Sequence, residues 1–320
     1  MRLLSLLITL TLHSHFVKSK PYYRKILILF RMKRFKALWD LMRLEHGVMI
    51  LVAILVGSLI ANRGALPDTF KLIFSFLTAL FLEASTFALN DYFDLEIDKK
   101  NRRNDRPLVR GDIQPRTALI LFFLLFPLGI ISSFLVNLPC FLIALITAVF
   151  AIAYDVKIKK IKPIGNFYIA YIMAVPFLFG AAAVSPNLPP IIWLLASIAF
   201  FAGVGREIMK DVMDMAGDRA QGVRSFPMYI GERNAYRVAA VFYIIAVIMS
   251  LIPFFLLKDT AYYGNMVYLA LVGVTDILFL ITAATLLVKS SPPTALFRKT
   301  TLVAIVFGLL AFLQGAFLQG

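Results

Sequence analysis

The chain has 320 residues and a net charge of +15; 60% of its residues are hydrophobic and the mean hydropathy is +0.83. So much apolar surface excludes an ordinary soluble domain and predicts a membrane protein. Because the basic residues are distributed among several loops, the positive charge does not indicate a nucleic-acid-binding surface.

The first 37 residues are predicted to be separate from the functional domain. The apolar stretch in MRLLSLLITLTLHSH is too short to span a bilayer, and it lacks the clear small-residue cleavage site of a signal peptide. Met32, followed by Lys33 and Arg34, would be a natural start. We therefore expect residues 1–37 to be an N-terminal extension, either from an over-long start or loosely attached, and residues 38–320 to form the functional domain.

Nine apolar segments follow, most of them close to the roughly 20 residues that a membrane-spanning helix needs. Their approximate limits are 47–62, 70–90, 117–136, 139–154, 164–184, 190–209, 236–257, 266–288 and 300–318. No strand pattern competes with them, and backbone polar groups in lipid must be satisfied within helices or a closed barrel. The sequence therefore predicts an all-α, polytopic protein with nine transmembrane helices.

Basic residues concentrate in the loops that follow the second, fourth, sixth and eighth segments. The loop after the second segment holds seven Lys and Arg residues, whereas the loops after the third and fifth hold none. By the positive-inside rule, the N-terminus and the basic loops face the cytoplasm of a cell membrane.

Two of these basic regions begin with the same acidic pattern, D-x-x-D-x-x-x-D. Its members are Asp91, Asp94 and Asp98 in the first region and Asp211, Asp214 and Asp218 in the second. Offsets of three and seven place three side chains on one face of a helix. Each pattern therefore projects three carboxylates in one direction near the membrane boundary.

Three like charges on one face repel one another, and ionisable groups at the end of a membrane helix are costly unless they serve a function. A hard cation relieves this repulsion, and oxygen ligands without His or Cys favour Mg²⁺. Two such clusters are suited to hold Mg²⁺ ions on one diphosphate, with nearby Arg and Lys on its outer oxygens. The alternative is that the carboxylates simply face water beside Lys and Arg.

The first pattern with its preceding Asn90, the Tyr154 and Lys157 pair, and the second pattern together resemble the UbiA superfamily of intramembrane prenyltransferases, over about residues 38–318. Within it, residues 159–180, 205–227 and 275–280 are similar to the archaeal digeranylgeranylglyceryl phosphate synthases. The resemblance implies a UbiA-like bundle and Mg²⁺-dependent transfer of a geranylgeranyl group from its diphosphate to the hydroxyl of geranylgeranylglyceryl phosphate, in archaeal ether lipid synthesis.

Two stretches depart from the family pattern. Many members have Lys-Thr before the Leu-Pro that follows the second cluster, whereas this chain has Arg224 and Ser225 before Phe226 and Pro227. Near the first segment, Arg43 matches the family but His46 stands where an Asn is common.

The resemblance also implies roles for individual residues. The expected metal ligands are Asn90, Asp91, Asp94, Asp98, Asp211, Asp214 and Asp218. The expected contacts to diphosphate or acceptor are Arg43, Asn90, Arg102, Arg106, Lys157, Lys162, Arg206 and Lys210. The residues expected to act directly in catalysis are Asp94, Asp98, Asp214, Tyr154 and Lys157.

The expected chemistry is ionisation of an allylic diphosphate, in which metal ions and fixed cations stabilise the leaving group. Tyr154 either faces the carbocation or donates a hydrogen bond to diphosphate. We expect no dedicated strong base, with Asp98 or the departing diphosphate taking the proton.

Two other functions stay open at this level. One is a UbiA enzyme with an aromatic, quinone-precursor acceptor; the other is a secondary transporter, although transporter sites usually lie near the bilayer midplane. The partners expected for the preferred function are an isoprenyl diphosphate, a lipid-soluble acceptor and membrane lipid.

Overall fold

The computed structural model describes residues 33–220 and 222–318, without the side chains of residues 45, 46, 160, 216 and 220. Most of the N-terminal extension, residues 1–32, and the side chain of His46 therefore lie outside the described part. Within that part, regular structure is helical, with one isolated backbone bridge between Ile161 and Arg224.

The described chain forms eleven α-helices and one short 3-10 turn, Ile158–Lys160. The helices are α1 Lys33–Met42, α2 Leu44–Ala61, α3 Thr69–Lys100, α4 Pro115–Val136, α5 Leu138–Val156, α6 Lys162–Val184, α7 Pro190–Ala220, α8 Phe226–Ile230, α9 Glu232–Leu256, α10 Met266–Val288 and α11 Thr294–Phe317. The predicted boundary between residues 37 and 38 falls within α1.

Eight of these helices are long and apolar enough to cross a membrane, and there are nine if α1 and α2, bent by 50° at their junction, count as one span. This count confirms the nine-helix, all-α prediction for the described residues. The outer faces carry exposed apolar side chains, for example Ile120, Phe123 and Ile131 on α4. Lipid is the solvent that such faces require.

Helices α3 and α7 are much longer than a bilayer needs, with 32 and 31 residues. Asp68 caps α3 by accepting a hydrogen bond from the backbone N–H of Lys71, and Lys99 and Lys100 lie in its last turn, where cations favour the helix dipole. Roughly 20 residues cross the hydrocarbon, so about three turns of each helix extend beyond it. The aspartates are on these extensions.

The two halves of the bundle, α2–α5 and α6–α10, repeat each other with a constant offset. Asp91 and Asp211, Pro107 and Pro227, and Gly111 and Gly231 are each separated by 120 positions. Both glycines have positive φ, 73° and 82°, and each lies shortly before the next long helix. The repeat therefore extends beyond the acidic pattern to the turns that follow it.

The halves meet where α2 packs along α6. A Cβ on Gly180 would lie 2.0 Å from the carbonyl oxygen of Ile54, and one on Gly57 would lie 2.2 Å from that of Phe177. Ser58 Oγ donates across the contact to the carbonyl of Gly180 at 2.9 Å. Glycine is therefore required for this backbone-to-backbone approach.

Candidate active site

Asp91 is the centre of the first acidic cluster and is 1% exposed. Arg43 Nη2 and Arg106 Nη1 each donate to its Oδ1 at 2.7 Å. Its Oδ2 is buried and accepts no hydrogen bond from any described residue. One oxygen of Asp91 is thus held by two guanidinium groups while the other stays open to a further cation.

Arg43 reaches Asp91 from the break between α1 and α2. It adopts a left-handed conformation with φ of 48°, which is uncommon for a residue with a side chain. Its guanidinium lies 4.2 Å from the centre of the Phe87 ring. A cation–π contact and two charged hydrogen-bonding partners on one carboxylate therefore fix this part of the rim.

A lysine from the segment after α5 completes the first cluster. Lys159 Nζ donates to Asp94 Oδ1 at 2.6 Å and to Asn90 Oδ1 at 3.2 Å. Lys157, the lysine that the sequence favoured, is instead exposed. The 3-10 turn Ile158–Lys160 directs the second of the two lysines inward, so Lys159 replaces Lys157 as the candidate contact.

The loop between α3 and α4 is ordered by ion pairs around two further aspartates. Arg103 donates from Nε and Nη2 to Asp105, at 2.9 and 2.8 Å, and this pairing holds the pKa of Asp105 below its ordinary value. Arg110, followed by Lys33, likewise lowers the pKa of Asp112. These pairs tie the loop together next to the cluster.

Asp211 is the centre of the second cluster and is 2% exposed. Its Oδ2 accepts from Asn166 Nδ2 at 2.9 Å and from the backbone N–H of Phe226 at 3.2 Å. Lys162 Nζ lies 2.6 Å from Asp218 Oδ2 and 3.4 Å from Asp211 Oδ1. Both oxygens of Asp211 are therefore engaged, unlike those of its counterpart Asp91.

One short segment connects the two clusters. Lys159 binds the first cluster and Lys162 binds the second, only three residues later. Tyr154, at the end of α5, lies within electrostatic range of both Asp94 and Asp211. The two aspartate-bearing helix ends therefore face a common region.

A cavity of about 360 Å³ lies beside the first cluster. It is lined by α2, α3, α5 and α6, with Asn90 and Arg43 at its polar end and alanines 144, 148 and 151 along one wall. Its volume is within the roughly 300–1,000 Å³ typical of ligand sites. An elongated apolar group can extend from the acidic rim into the bundle.

Two aromatic rings line this cavity close to the rim. Tyr154 and Tyr168 are stacked with their centres 4.6 Å apart. Gly165 packs against the Tyr154 ring, and a Cβ at this position would lie only 3.2 Å from that ring. The ring faces are positioned to stabilise positive charge near the mouth of the cavity.

Two buried acidic residues near the site were not selected from the sequence. Asp155, next to Tyr154, is 6% exposed and lines the cavity. Glu207, one turn before Asp211, is 7% exposed and pairs with Lys210 at 3.1 Å and Arg206 at 3.7 Å. Charged residues inside apolar helices often mark a functional site, so the sequence alone could have pointed to both Asp155 and Glu207.

The donor set fits Mg²⁺ by its chemistry. It contains carboxylate and amide oxygens, and Asp91 Oδ2 is buried without a partner among the described residues. No group of three His, Cys, Asp or Glu side chains in the described ranges is arranged to hold a metal ion by itself. Mg²⁺ does not need such a group, because it commonly takes one or two carboxylates together with waters and substrate phosphates.

The structure brings ten of the predicted residues together at the rim, exposes three others to solvent and pairs the last two with Glu207. Gathered there are Arg43, Asn90, Asp91, Asp94, Asp98, Arg106, Tyr154, Lys162, Asp211 and Asp218. Exposed are Arg102, Lys157 and Asp214. Arg206 and Lys210 pair with Glu207 and make no ion pair with either aspartate cluster in the described part of the chain.

Of three further residues that the structure brings to the site, two could not be singled out from their local pattern. Lys159 lies in a run of lysines, and only its place on the 3-10 turn distinguishes it. Asn166 lies four residues after Lys162 on α6, so helical spacing alone would have placed the two on one face. Tyr168 is one of many aromatic residues in the apolar segments.

Comparison with known proteins gives a family match over most of the chain. Residues 50–306 match the UbiA prenyltransferase family. Digeranylgeranylglyceryl phosphate synthase from Archaeoglobus fulgidus is 45% identical over 288 residues, which cover 89% of this chain and 97% of that protein. The protein of the same name from Methanocaldococcus jannaschii is 35% identical over 287 residues, covering 89% and 98%.

Solved structures agree with these matches. A structure of digeranylgeranylglyceryl phosphate synthase aligns with a TM-score of 0.78 and 33% identity, covering 89% of this chain and 99% of that chain. A UbiA homolog from Archaeoglobus fulgidus, bound to DMAPP and Mg²⁺, aligns with a TM-score of 0.61 and 17% identity, covering 88% and 98%. The second match supports the fold alone.

Proposed function

This chain belongs to the UbiA prenyltransferase family, and we propose that it transfers a geranylgeranyl group from geranylgeranyl diphosphate to the free hydroxyl of geranylgeranylglyceryl phosphate. It is a multi-pass membrane enzyme that transfers prenyl groups. The observation that carries the choice of substrates is the 45% identity to a digeranylgeranylglyceryl phosphate synthase across almost the whole of both chains.

The geometry supports a prenyl diphosphate as substrate, because the rim is charged and the cavity behind it is apolar. The rim combines carboxylates with Arg43, Arg106 and Lys159, and the cavity behind it is largely apolar. A prenyl diphosphate has the same division, with a highly charged end and a long apolar chain. The substrate therefore binds with its diphosphate at the rim and its chain in the cavity.

The basic residues of the rim bind the diphosphate from the sides. Arg43 and Arg106 have fixed guanidinium groups, which suit bidentate contact with phosphate oxygens, and Lys159 adds a point charge. Their charges stabilise the leaving group as the bond to C1 breaks. Because the three cations are already held by carboxylates, little reorganisation is needed when the substrate arrives.

Asn90, Asp91, Asp94 and Asp98 on one side and Asp211, Asp214 and Asp218 on the other would hold Mg²⁺. The metal supplies further stabilisation of the charge that develops on diphosphate. Lys159 and Lys162 balance part of the carboxylate charge in the structure and stay beside the clusters as additional cations.

The walls of the cavity exclude water from the reacting carbon. Tyr154 and Tyr168 present stacked ring faces near the rim, where positive charge on C1 develops. An allylic cation that meets water would be hydrolysed, so this enclosure favours transfer over hydrolysis. By the distribution of basic loops, we further propose that the rim faces the cytoplasm of a cell membrane.

The test is an acceptor panel with purified protein, labelled geranylgeranyl diphosphate and Mg²⁺. Product should form with geranylgeranylglyceryl phosphate, and removal of Mg²⁺ by a chelator should stop it. Asp94→Ala and Asp214→Ala should each abolish turnover in folded protein. Product formed only with aromatic acceptors would overturn the proposed substrate, and full activity of both variants would overturn the assignment of the acidic clusters.

A further inference from the structure

Asp155 is a charged residue in the wall of a largely apolar cavity, and the family resemblance gave it no role. It lies at the end of α5, is 6% exposed, and shares the cavity with Tyr154 and Tyr168. On the same helix the wall continues through Ala151 and Ala148. Asp155 therefore marks the level at which the apolar chamber meets the polar rim.

The carboxylate of Asp155 accepts no hydrogen bond and makes no ion pair with any side chain that the structure describes. Charged groups near it include Lys159, Asp94, Arg43 and Asp91, and Glu83 lines the same cavity. The two cations among them are engaged elsewhere, because Lys159 donates to Asp94 and Arg43 donates to Asp91. Because this largely buried carboxylate borders the cavity, a hydroxyl of a bound ligand can donate the hydrogen bond that it needs.

We propose that Asp155 binds the hydroxyl of the acceptor and takes its proton as the new ether bond forms. This proposal rests on the proposed function, in which the acceptor brings one free hydroxyl to the C1 carbon of the prenyl group. A hydroxyl is the donor that Asp155 lacks. The aromatic pair beside Asp155 is where C1 would lie, so the same carboxylate can hold the nucleophile next to the carbon that it attacks.

The step balances in atoms and electrons. The bond between C1 and the diphosphate oxygen breaks, and its electron pair leaves with diphosphate. A lone pair of the acceptor oxygen forms the new bond to C1. The O–H bond breaks, its electron pair stays on the ether oxygen, and the proton moves to the Asp155 carboxylate, from which it is lost to water after the products leave.

This assignment replaces the expectation that Asp98 or the departing diphosphate takes the proton. Asp98 is not part of the cavity wall, and its nearest described cation is Arg106, with Nε 4.0 Å from its Oδ2. Diphosphate surrounded by cations is a weak base.

The experiment compares Asp155→Asn with the wild type in the full-length enzyme, using Asp276→Asn as a matched control. Asp276 is equally buried at 6% exposure, but it is hydrogen-bonded to Ser250 between α9 and α10 and does not line the cavity. Transfer to geranylgeranylglyceryl phosphate should fall about 100-fold in Asp155→Asn, in line with the usual contribution of a general base. Asp276→Asn should stay within about threefold of the wild type, and Asp155→Glu should recover part of the activity.

Two further readouts separate proton transfer from a structural effect. Release of diphosphate without acceptor should be unchanged in Asp155→Asn, since ionisation does not use this residue. An acceptor with a thiol in place of the hydroxyl should be used almost equally by variant and wild type, because a thiol loses its proton far more easily.

Several results would overturn the inference. Equal rates of transfer to the hydroxyl acceptor by Asp155→Asn and wild type would show that diphosphate, not Asp155, takes the proton. A higher Mg²⁺ requirement in Asp155→Asn would show that Asp155 is a metal ligand instead. Loss of folded protein in Asp155→Asn but not in Asp276→Asn would make its role structural. Failure of the wild type with every hydroxyl acceptor would instead overturn the proposed function itself.

Discussion

Replacing Gly180 by alanine should destabilise the bundle, because the backbones of α2 and α6 are in direct contact there. The added Cβ would lie 2.0 Å from the carbonyl oxygen of Ile54, whereas ordinary contacts begin near 3.4 Å. The helices would have to separate by more than 1 Å. This movement would also disturb the hydrogen bond from Ser58 to the Gly180 carbonyl.

Overpacking of this kind typically costs about 1–3 kcal/mol, and contact with rigid backbone favours the upper end of that range. Gly273→Ala is the control, because Gly273 is also helical and a Cβ there meets nothing within 4 Å. This control should be neutral or gain up to about 1 kcal/mol from helix propensity. Thermal unfolding in detergent should therefore give a lower unfolding temperature for Gly180→Ala and an unchanged or higher one for Gly273→Ala.

Gly57→Ala tests the same contact from the other helix, since its Cβ would lie 2.2 Å from the carbonyl oxygen of Phe177. One separation of the helices relieves both clashes, so the double variant should lose less stability than the sum of the two single variants. If Gly180→Ala were as stable as Gly273→Ala, the close approach of α2 and α6 would be refuted.

Three further predictions concern the rim, the cavity and the loop. Lys159→Met should lower kcat/KM for geranylgeranyl diphosphate by roughly 10- to 150-fold, which corresponds to the loss of a charged hydrogen bond of about 1.5–3 kcal/mol. Lys157→Met, the control, should change kcat/KM little in the same steady-state assay. Ala148→Phe fills the cavity wall and should impair transfer from geranylgeranyl diphosphate more than from a shorter prenyl diphosphate; Val149→Phe, at the exposed neighbouring position, should affect neither. The ion pairs of Asp112 lower its pKa, so the stability that they contribute is present above the ordinary pKa of an aspartate and is lost as the pH falls below it. The difference in unfolding temperature between wild type and Asp112→Asn should therefore be constant from roughly pH 8 to pH 5 and shrink below about pH 4.

The helices and the acidic clusters could be predicted because each depends on local spacing. Apolar length identifies a membrane helix without any knowledge of its neighbours, and offsets of three and seven fix one helical face. The 31- and 32-residue lengths of α7 and α3 also follow, since both acidic patterns continue the helical periodicity past the apolar segment.

The partners of the clusters could not be predicted in the same way, because they depend on contacts between distant elements. Lys157 and Lys159 are equivalent in sequence, and the direction of one 3-10 turn decides which of them reaches Asp94. Arg206 and Lys210 were expected at the diphosphate, but they lie beside Glu207 on their own helix, where an acidic partner is closest.

The two halves have diverged around their central aspartates, Asp91 and Asp211. In the first half, Asp91 is held by Arg43 and Arg106 through one oxygen and keeps the other open. At the position 120 residues after Arg106 the chain has Phe226, whose backbone N–H donates to Asp211 Oδ2 where the first half has a guanidinium group.

The apolar interiors of the two halves also differ, because the second is filled by aromatic side chains and the first is not. Helices α7, α9 and α10 of the second half pack around Tyr243, which is fully buried and stacks on Phe279 at 5.2 Å. The first half instead has alanines along α5 and an open chamber beside them. The repeat thus supplies two carboxylate-bearing helix ends, and under the proposed function the chamber beside the first cluster takes the prenyl chain while the second half forms the opposite side of the rim.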